Sequence, residues 1–300
     1  HLSYIKPHWP YMAPAPYHDL YGPAHFLPVK RQIGELENAH PVYKAFTEMD
    51  VSATFSRQGV REAVLPAYMG LIKQIDDHLG RLFSFLEQAG RMHDTMIVVT
   101  SDHGDYLGDH WMGEKELFHD VSVKVPMILF DPRPEADNSR GTVVSSFVEA
   151  IDLVPTFIEA YGLPPDKQRL EGQSLMPFVN GKHPAGWRDH AFSEIDYSFY
   201  KACETLDVDL SKARGYMIRT DRWKYVFFKG FRPQLFDLEA DPDEFNDLGA
   251  DPDYSAQCDA IMARLLDRLT DRRNRVTFAD DKVPAVRPHK STRGIEIGIW

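Results

Sequence analysis

The residues best suited to chemistry lie in one short segment, between Asp102 and His110. Three carboxylates occur there, Asp102, Asp105 and Asp109, beside the imidazoles of His103 and His110. Like charges held this close destabilise a fold unless a cation or hydrogen bonds offset them. An aspartate that follows a strand is often only a turn or helix-cap residue. The crowding nevertheless favours a metal site, because carboxylate oxygen and imidazole nitrogen together suit a divalent ion.

The ligand types also narrow the identity of the metal. Mixed oxygen and nitrogen ligands favour Mn²⁺, with Zn²⁺ and Fe²⁺ as alternatives. Ca²⁺ fits less well because it prefers a shell made of oxygen atoms. We therefore expect one divalent metal ion as the cofactor.

The elements around this segment predict an α/β fold. An apolar run at 96–100 without polar alternation predicts a strand buried on both faces, as in a parallel sheet flanked by helices. Apolar residues at three- and four-residue steps over 61–88 predict an amphipathic helix before that strand. Ligands of open α/β sheets bind beyond the carboxyl ends of the strands, which is where Asp102 and His103 stand.

His8 belongs to a proline-rich segment, residues 6–16, which follows an apolar run at 1–5 that predicts a short strand. Proline at this density fixes φ and removes amide donors, so we expect a stiff extended loop. Such a loop would hold the His8 imidazole rigidly, ready to give or take a proton. A surface imidazole without a role is the simpler interpretation of the same residues.

The rest of the chain predicts further helices and strands, and the sequence pattern changes near residue 186. The predicted elements are strands at 123–130, 216–220, 223–228 and 234–238, and helices over 152–160 and 255–271. We therefore expect two domains, 1–185 and 186–300. The acidic cluster at 241–247 lacks the spacing of a calcium-binding loop and is interpreted as a solvated turn.

The composition limits the functional classes. A formal net charge of -11 argues against a nucleic-acid partner, and no apolar run is long enough to span a membrane. The two cysteines, Cys203 and Cys258, lack metal-binding or redox spacing, which favours a reducing compartment. We expect a cytoplasmic enzyme that offers local positive charge to a small anionic ester.

The last residues suggest a contact between subunits. Ile295, Ile297 and Ile299 alternate with other residues before the terminal Trp300. Such alternation without a neighbouring strand predicts an extended arm that pairs with a sheet edge. We expect the tail from residue 285 onward to mediate homo-oligomerisation.

Several motifs in order resemble the sulfatase branch of the alkaline phosphatase superfamily. They are Ser101-Asp-His-Gly-Asp-Tyr-Leu-Gly-Asp-His110 with Lys115, Ser122-Val-Lys-Val-Pro-Met-Ile128, Asp152-Leu-Val-Pro-Thr156, Gly172-Gln-Ser-Leu-Met-Pro177, and the segments 219–225 and 235–242. Residues 1–10 and 106–115 are most similar to the phosphonate monoester hydrolases, which also cleave phosphodiesters. The resemblance implies an alkaline-phosphatase-like sandwich: a central, mostly parallel sheet flanked by helices, and a smaller C-terminal antiparallel β subdomain with a helix.

The resemblance also implies roles for four residues. Asp102 and His103 match half of the family's single divalent-metal site. Lys115 matches the lysine that contacts the oxygens of the bound phosphoryl or sulfuryl group, and His8 matches the histidine near the leaving-group oxygen. Together they imply metal-dependent hydrolysis of phosphonate monoesters and phosphate diesters.

The family's nucleophile has no counterpart in this sequence. It is a cysteine converted to formylglycine within a Cys-x-(Pro/Ser)-x-Arg motif, which neither Cys203 nor Cys258 fits. We therefore expect the C-terminal portion of such a hydrolase, inactive by itself. A sulfate-ester hydrolase of the arylsulfatase or choline-sulfatase type is the alternative activity. A non-catalytic remnant that binds metal or oligomerises is the alternative kind of protein.

Overall fold

The computed structural model describes residues 1–272 and residue 282. Within these residues the helices are α1 (Gly34–Glu37), α2 (Pro41–Thr47), α3 (Asp50–Phe55), α4 (Val60–Gln88), α5 (Asp120–Val123), α6 (Leu153–Ala160), α7 (Met176–Val179), α8 (Lys201–Thr205) and α9 (Ser255–Thr270). The strands are β1 (Ile97–Thr100), β2 (Met127–Phe130), β3 (Ala191–Asp196), β4 (Arg214–Arg219), β5 (Trp223–Phe228) and β6 (Gln234–Asp237). The chain is thus a mixed α/β protein, as its sequence predicts.

The long helix α4 confirms the helix predicted over 61–88. Its buried face includes Leu65 and Leu71. At Gly70 a Cβ atom would lie 2.2 Å from the carbonyl oxygen of Tyr17, so only glycine lets the N-terminal segment cross the helix this closely. The Tyr17 hydroxyl donates a hydrogen bond to Asp77 on the same helix, at 3.0 Å. Helix α4 therefore supports the proline-rich segment that precedes Tyr17.

The strands form two antiparallel sheets within the described residues. One is the pair β1–β2, and the other has the order β3-β4-β5-β6. The predicted hairpin is confirmed, since β4 and β5 pair in register with Met217 opposite Val226. The direction of β1 differs from the parallel arrangement expected, because the long loop after Thr100 returns the chain antiparallel in β2. An apolar run reveals that a strand is present but not the direction of its neighbour.

Two apolar cores hold the elements together. The first joins α2, the loop after β1, α8 and the β4–β5 hairpin, with Phe46, Tyr106 and Phe228 among its members. The second lies between the four-stranded sheet and α9, around Ile218 and Leu265. The first core contains residues from both sides of position 185, so the two predicted domains share buried surface. The boundary itself remains a prediction.

Some local expectations are corrected. Residues 1–5 are exposed and form no strand, because the paired neighbour that a strand needs is missing from their surroundings in the described chain. The strand predicted at 123–130 begins only at Met127, and a short helix, α5, precedes it. Both cysteines are buried and free. None of the described helices is long and apolar enough to cross a membrane. The predicted oligomerisation tail lies outside the described residues.

Candidate active site

Asp102 and His103 follow β1 after one intervening residue, and their side chains lie close to each other. The Nδ1 atom of His103 lies 2.7 Å from the carbonyl oxygen of Gly104. A carbonyl only accepts hydrogen bonds, so Nδ1 donates to it and Nε2 is the ring nitrogen available to a metal ion. That Nε2 atom faces the Asp102 Oδ2 atom at 3.5 Å, and the Asp102 side chain is 86% exposed. An accessible carboxylate oxygen and an imidazole nitrogen therefore lie side by side.

This donor pair fits half of a divalent-metal shell. A carbonyl bound to the second imidazole nitrogen, as in His103, is the usual support for a metal-ligating histidine. Within residues 1–272, however, no three side chains of the histidine, cysteine and acidic types gather as a metal-binding group. Asp102 and His103 could thus hold a metal only together with further ligands. The metal assignment stays a prediction.

Lys115 and His8 meet beside this pair. The Lys115 Nζ atom lies 3.3 Å from His8 Nε2. The other ring nitrogen of His8, Nδ1, donates to the carbonyl oxygen of Trp9 at 2.9 Å, which leaves Nε2 as the acceptor. The rings of His8 and His103 are 5.8 Å apart, centroid to centroid. The structure therefore brings together the four side chains to which the family resemblance gives roles.

Tyr11 fastens the proline-rich loop that carries His8. Its hydroxyl donates a hydrogen bond to Asp105 Oδ2 at 2.8 Å, and its ring packs edge-on against Phe55 and Tyr68. Burial raises the pKa of the Asp105 carboxyl, and the hydrogen bond from Tyr11 opposes that rise. Asp105 thus anchors the N-terminal loop instead of joining Asp102 in the predicted cluster of carboxylates.

Backbone contacts fasten the segment that carries Lys115. The amide of Tyr106 donates to the Glu114 carbonyl at 2.7 Å, and the Ser122 hydroxyl donates to the Lys115 carbonyl. The amide of Gly104 donates to the Ser122 carbonyl at 2.7 Å, so the turn that carries Asp102 and His103 shares one support with the lysine segment. A Cβ atom at Gly104 would lie 1.9 Å from the Val121 carbonyl oxygen, which restricts this position to glycine.

Asp109 and His110 do not contribute to the cluster that their spacing suggests. Asp109 accepts a hydrogen bond from the amide of Lys30 at 2.9 Å. His110 is buried, pairs with Glu35 at 2.7 Å and stacks on His119 with ring centroids 4.0 Å apart. Burial lowers the pKa of His119 well below its ordinary value, so this ring is neutral. These side chains build the core under the loop.

The interpretation of the acidic cluster at 241–247 as a solvated turn is wrong for two of its members. Glu244 is buried and lies 2.5 Å from the ammonium of Lys224. Asp247 pairs with Arg232 at 2.7 Å and accepts from the amide of Leu235. Their partners are distant in sequence or follow no periodic pattern, so no local signal separates these two residues from their solvated neighbours.

Comparisons with known proteins identify the family of the chain. The sulfatase family model matches residues 1–163, and the model of the N-sulphoglucosamine sulphohydrolase C-terminal region matches residues 108–275. The chain therefore belongs to the sulfatase family, a branch of the alkaline phosphatase superfamily.

Three relatives illustrate the range of the similarity. The multifunctional alkaline phosphatase superfamily protein PehA of Trinickia caryophylli is 34% identical over 271 residues, 85% of this chain and 52% of that protein. The phosphonate monoester hydrolase of Agrobacterium radiobacter is 33% identical and superimposes with a TM-score of 0.81, over 90% of this chain and 56% of its own. The arylsulfatase of Clostridium perfringens is 28% identical over 90% of this chain and 53% of its own length. The chain thus spans about half the length of these relatives.

Proposed function

We propose that this chain is part of a hydrolase of phosphonate monoesters and phosphate diesters. It supplies the side chains that hold the metal, contact the ester oxygens and assist the leaving group. One observation carries the proposal. The Lys115 ammonium, the His8 imidazole and the Asp102–His103 pair converge beyond the end of β1. Two positively charged or proton-carrying groups beside a metal half-site suit an anionic ester. The similarity to the phosphonate monoester hydrolase supports the same substrate class.

Each side chain has a distinct role in this proposal. A divalent metal held by Asp102, His103 and further ligands would neutralise charge on the non-bridging oxygens of the ester. Lys115 donates hydrogen bonds from Nζ to the same oxygens. His8 binds the Trp9 carbonyl through Nδ1 and, once protonated at Nε2, gives that proton to the departing alkoxide.

The proposed reaction needs a nucleophile that these residues do not provide. Both cysteines are buried, and burial raises the pKa of each thiol above its ordinary value. Neither stands in the family's formylglycine motif. We therefore propose that the chain alone does not turn over ester. The coding sequence upstream of His1 tests this directly. A Cys-x-(Pro/Ser)-x-Arg motif there supports the enzyme, and its absence favours a non-catalytic metal-binding or oligomerising protein.

Hydrolysis of sulfate esters is the second candidate activity. The identity to the arylsulfatase of Clostridium perfringens favours it, and the four side chains suit a sulfuryl group as well as a phosphoryl group. Rates on an aryl phenylphosphonate, a bis-aryl phosphate and an aryl sulfate separate the candidates. They are measured with the chain alone and with the polypeptide extended by its upstream coding sequence. A preference for the first two esters supports the proposal, and a preference for the aryl sulfate overturns it.

A further inference from the structure

Lys224, on β5, is a fully buried cation with 0% of its surface exposed. Its Nζ atom lies 2.6 Å from Asp120 Oδ1 and 2.5 Å from Glu244 Oε1. It also donates a hydrogen bond to the carbonyl of Phe118 at 3.0 Å. A buried ammonium is tolerated only when such partners surround it. Three distant parts of the chain therefore meet at one charge.

The two carboxylates at this charge are themselves fastened. The amide of Asp120 donates to Glu244 Oε2 at 2.8 Å, and a second cation, Arg219, lies 3.6 Å from Asp120 Oδ1. Glu244 adopts a left-handed φ of 59°, which costs free energy at a residue other than glycine. The ion pairs must offset that cost, so this arrangement is imposed by tertiary contacts.

The cluster adjoins the support of the candidate active site. Asp120 opens α5, and Ser122 in the same turn binds both the Lys115 carbonyl and the Gly104 amide. Any shift of this turn would move Lys115 and the backbone next to His103 together. Lys224 thus connects the four-stranded sheet to the turn that supports the candidate site.

We propose that Lys224 is a positioning residue. Its ion pairs with Asp120 and Glu244 fix the α5 turn and so hold Lys115 at its position relative to His103. The role in catalysis rests on the proposed function, whereas the role in holding the turn does not. The cluster connects the C-terminal sheet to the site without contacting the substrate.

The test uses hydrogen–deuterium exchange at the amides of Gly104 and Ser122. Lys224→Met leaves Glu244 buried without its ion pair and leaves Asp120 with Arg219 at 3.6 Å. The combined variant Lys224→Met, Asp120→Asn, Glu244→Gln removes the charges of Lys224 and of both carboxylates at once and avoids that penalty; the partly exposed Arg219 keeps its charge. We expect both amides to exchange at least about tenfold faster in each folded variant, while amides in the β4–β5 pairing keep their rates. Asp120→Asn alone keeps the side-chain shape and gives a smaller change in the same direction.

Arg222→Ala is the matched control. Arg222 forms a two-pronged ion pair with Asp237 between the ends of β5 and β6, so its loss weakens the same sheet at another point. Exchange at Gly104 should remain unchanged in this variant. Unchanged exchange in folded Asp120→Asn, or an acceleration spread equally over the sheet, overturns the proposal.

A second readout separates the positioning role from the proposed function. Phenylphosphonate binding in the presence of Mn²⁺ should weaken at least about tenfold in the triple variant, as loss of supporting contacts does at other metal sites. If the unmodified chain binds no phenylphosphonate, the proposed function fails, and the exchange rates still decide whether Lys224 holds the turn. If it binds and the triple variant binds equally well, the positioning role is wrong.

Discussion

The two sheets differ in how completely their apolar side chains are covered. In the four-stranded sheet, β6 is buried at every position, and α9 closes one face of the sheet around Ile218. In the pair β1–β2, most side chains are only half-buried, and Ile128 is 61% exposed. The neighbouring helix α6 likewise exposes Val154 and Phe157. The sequence is apolar in both regions, but fully buried positions occur only in β4, β5 and β6 among these strands.

The candidate site owes its rigidity to the four-stranded sheet and to α4. Asp102 and His103 extend from the incompletely covered pair, which alone would give them little support. The loop behind them is fastened to the covered sheet through Lys224, and to α4 through Tyr11 and its ring contacts.

The largest effect should come from truncating the same residue type in the two sheets. Ile218→Ala, at a position with 0% exposure in β4, should lower the free energy of unfolding by about 2–5 kcal/mol, because it leaves a cavity. Ile128→Ala in β2 should cost less than about 1 kcal/mol, since its side chain already meets solvent. Denaturant unfolding at neutral pH measures both. Equal losses would mean that the contrast between the sheets does not exist in solution.

The free energy of unfolding should also depend on pH through His40, a buried residue that is 1% exposed. Its Nδ1 accepts from the amide of Val42 at the start of α2, and its Nε2 donates to the carbonyl of Arg232. Burial lowers the pKa of His40 from 6.5 to about 4. Below about pH 6.5 the unfolded chain therefore takes up a proton that the folded chain refuses until about pH 4. The fold loses stability across this window as the pH falls.

His40→Gln isolates this contribution. The drop in unfolding free energy between about pH 6.5 and pH 4 should be smaller in the variant by on the order of 3 kcal/mol. His93→Gln, at an exposed histidine, is the control and should leave the drop in place. Identical pH profiles for His40→Gln and the unmodified chain would show that His40 titrates normally in the fold.

A smaller effect on stability is expected at Gly104, in the turn between β1 and the segment that carries Lys115. Gly104→Ala would force a Cβ atom against the Val121 carbonyl, so it should cost about 1–3 kcal/mol and weaken Mn²⁺ binding. Gly80→Ala on α4 meets nothing within 4 Å and should stabilise the chain by about 0.5–1 kcal/mol. Thermal unfolding and Mn²⁺ titration compare the two. A harmless Gly104→Ala would contradict the close approach described here.

Much of the fold follows from local patterns in the sequence. The stripe over α4, the β4–β5 hairpin and α9 have strong periodicity, and each is found close to its predicted bounds. The direction of β1 relative to β2 could not be predicted, because pairing depends on the path of the intervening loop. The expected strand at 1–5 fails for a related reason, since an apolar run forms a strand only beside a partner.

The candidate site likewise contains residues that the sequence could predict and residues that it could not. Asp102, His103, Lys115 and His8 could be found because ordered motifs resemble those of a known family. Their supports could not be found, since the Tyr11–Asp105 and Lys224–Asp120 contacts join residues far apart in sequence with no pattern between them. Spacing alone also predicted too many members for the metal cluster, because proximity in sequence does not determine where the side chains of Asp109 and His110 lie.

Titration of the purified chain with Mn²⁺ and then phenylphosphonate, by calorimetry, tests the central claim most directly. We expect weak Mn²⁺ binding that Asp102→Ala or His103→Ala abolishes. Lys115→Met should keep the metal but lose phenylphosphonate, while Lys182→Met, at an exposed lysine after α7, keeps both. Mn²⁺ binding that is unchanged in Asp102→Ala and His103→Ala, or phenylphosphonate binding that does not depend on Lys115, would contradict the site described here.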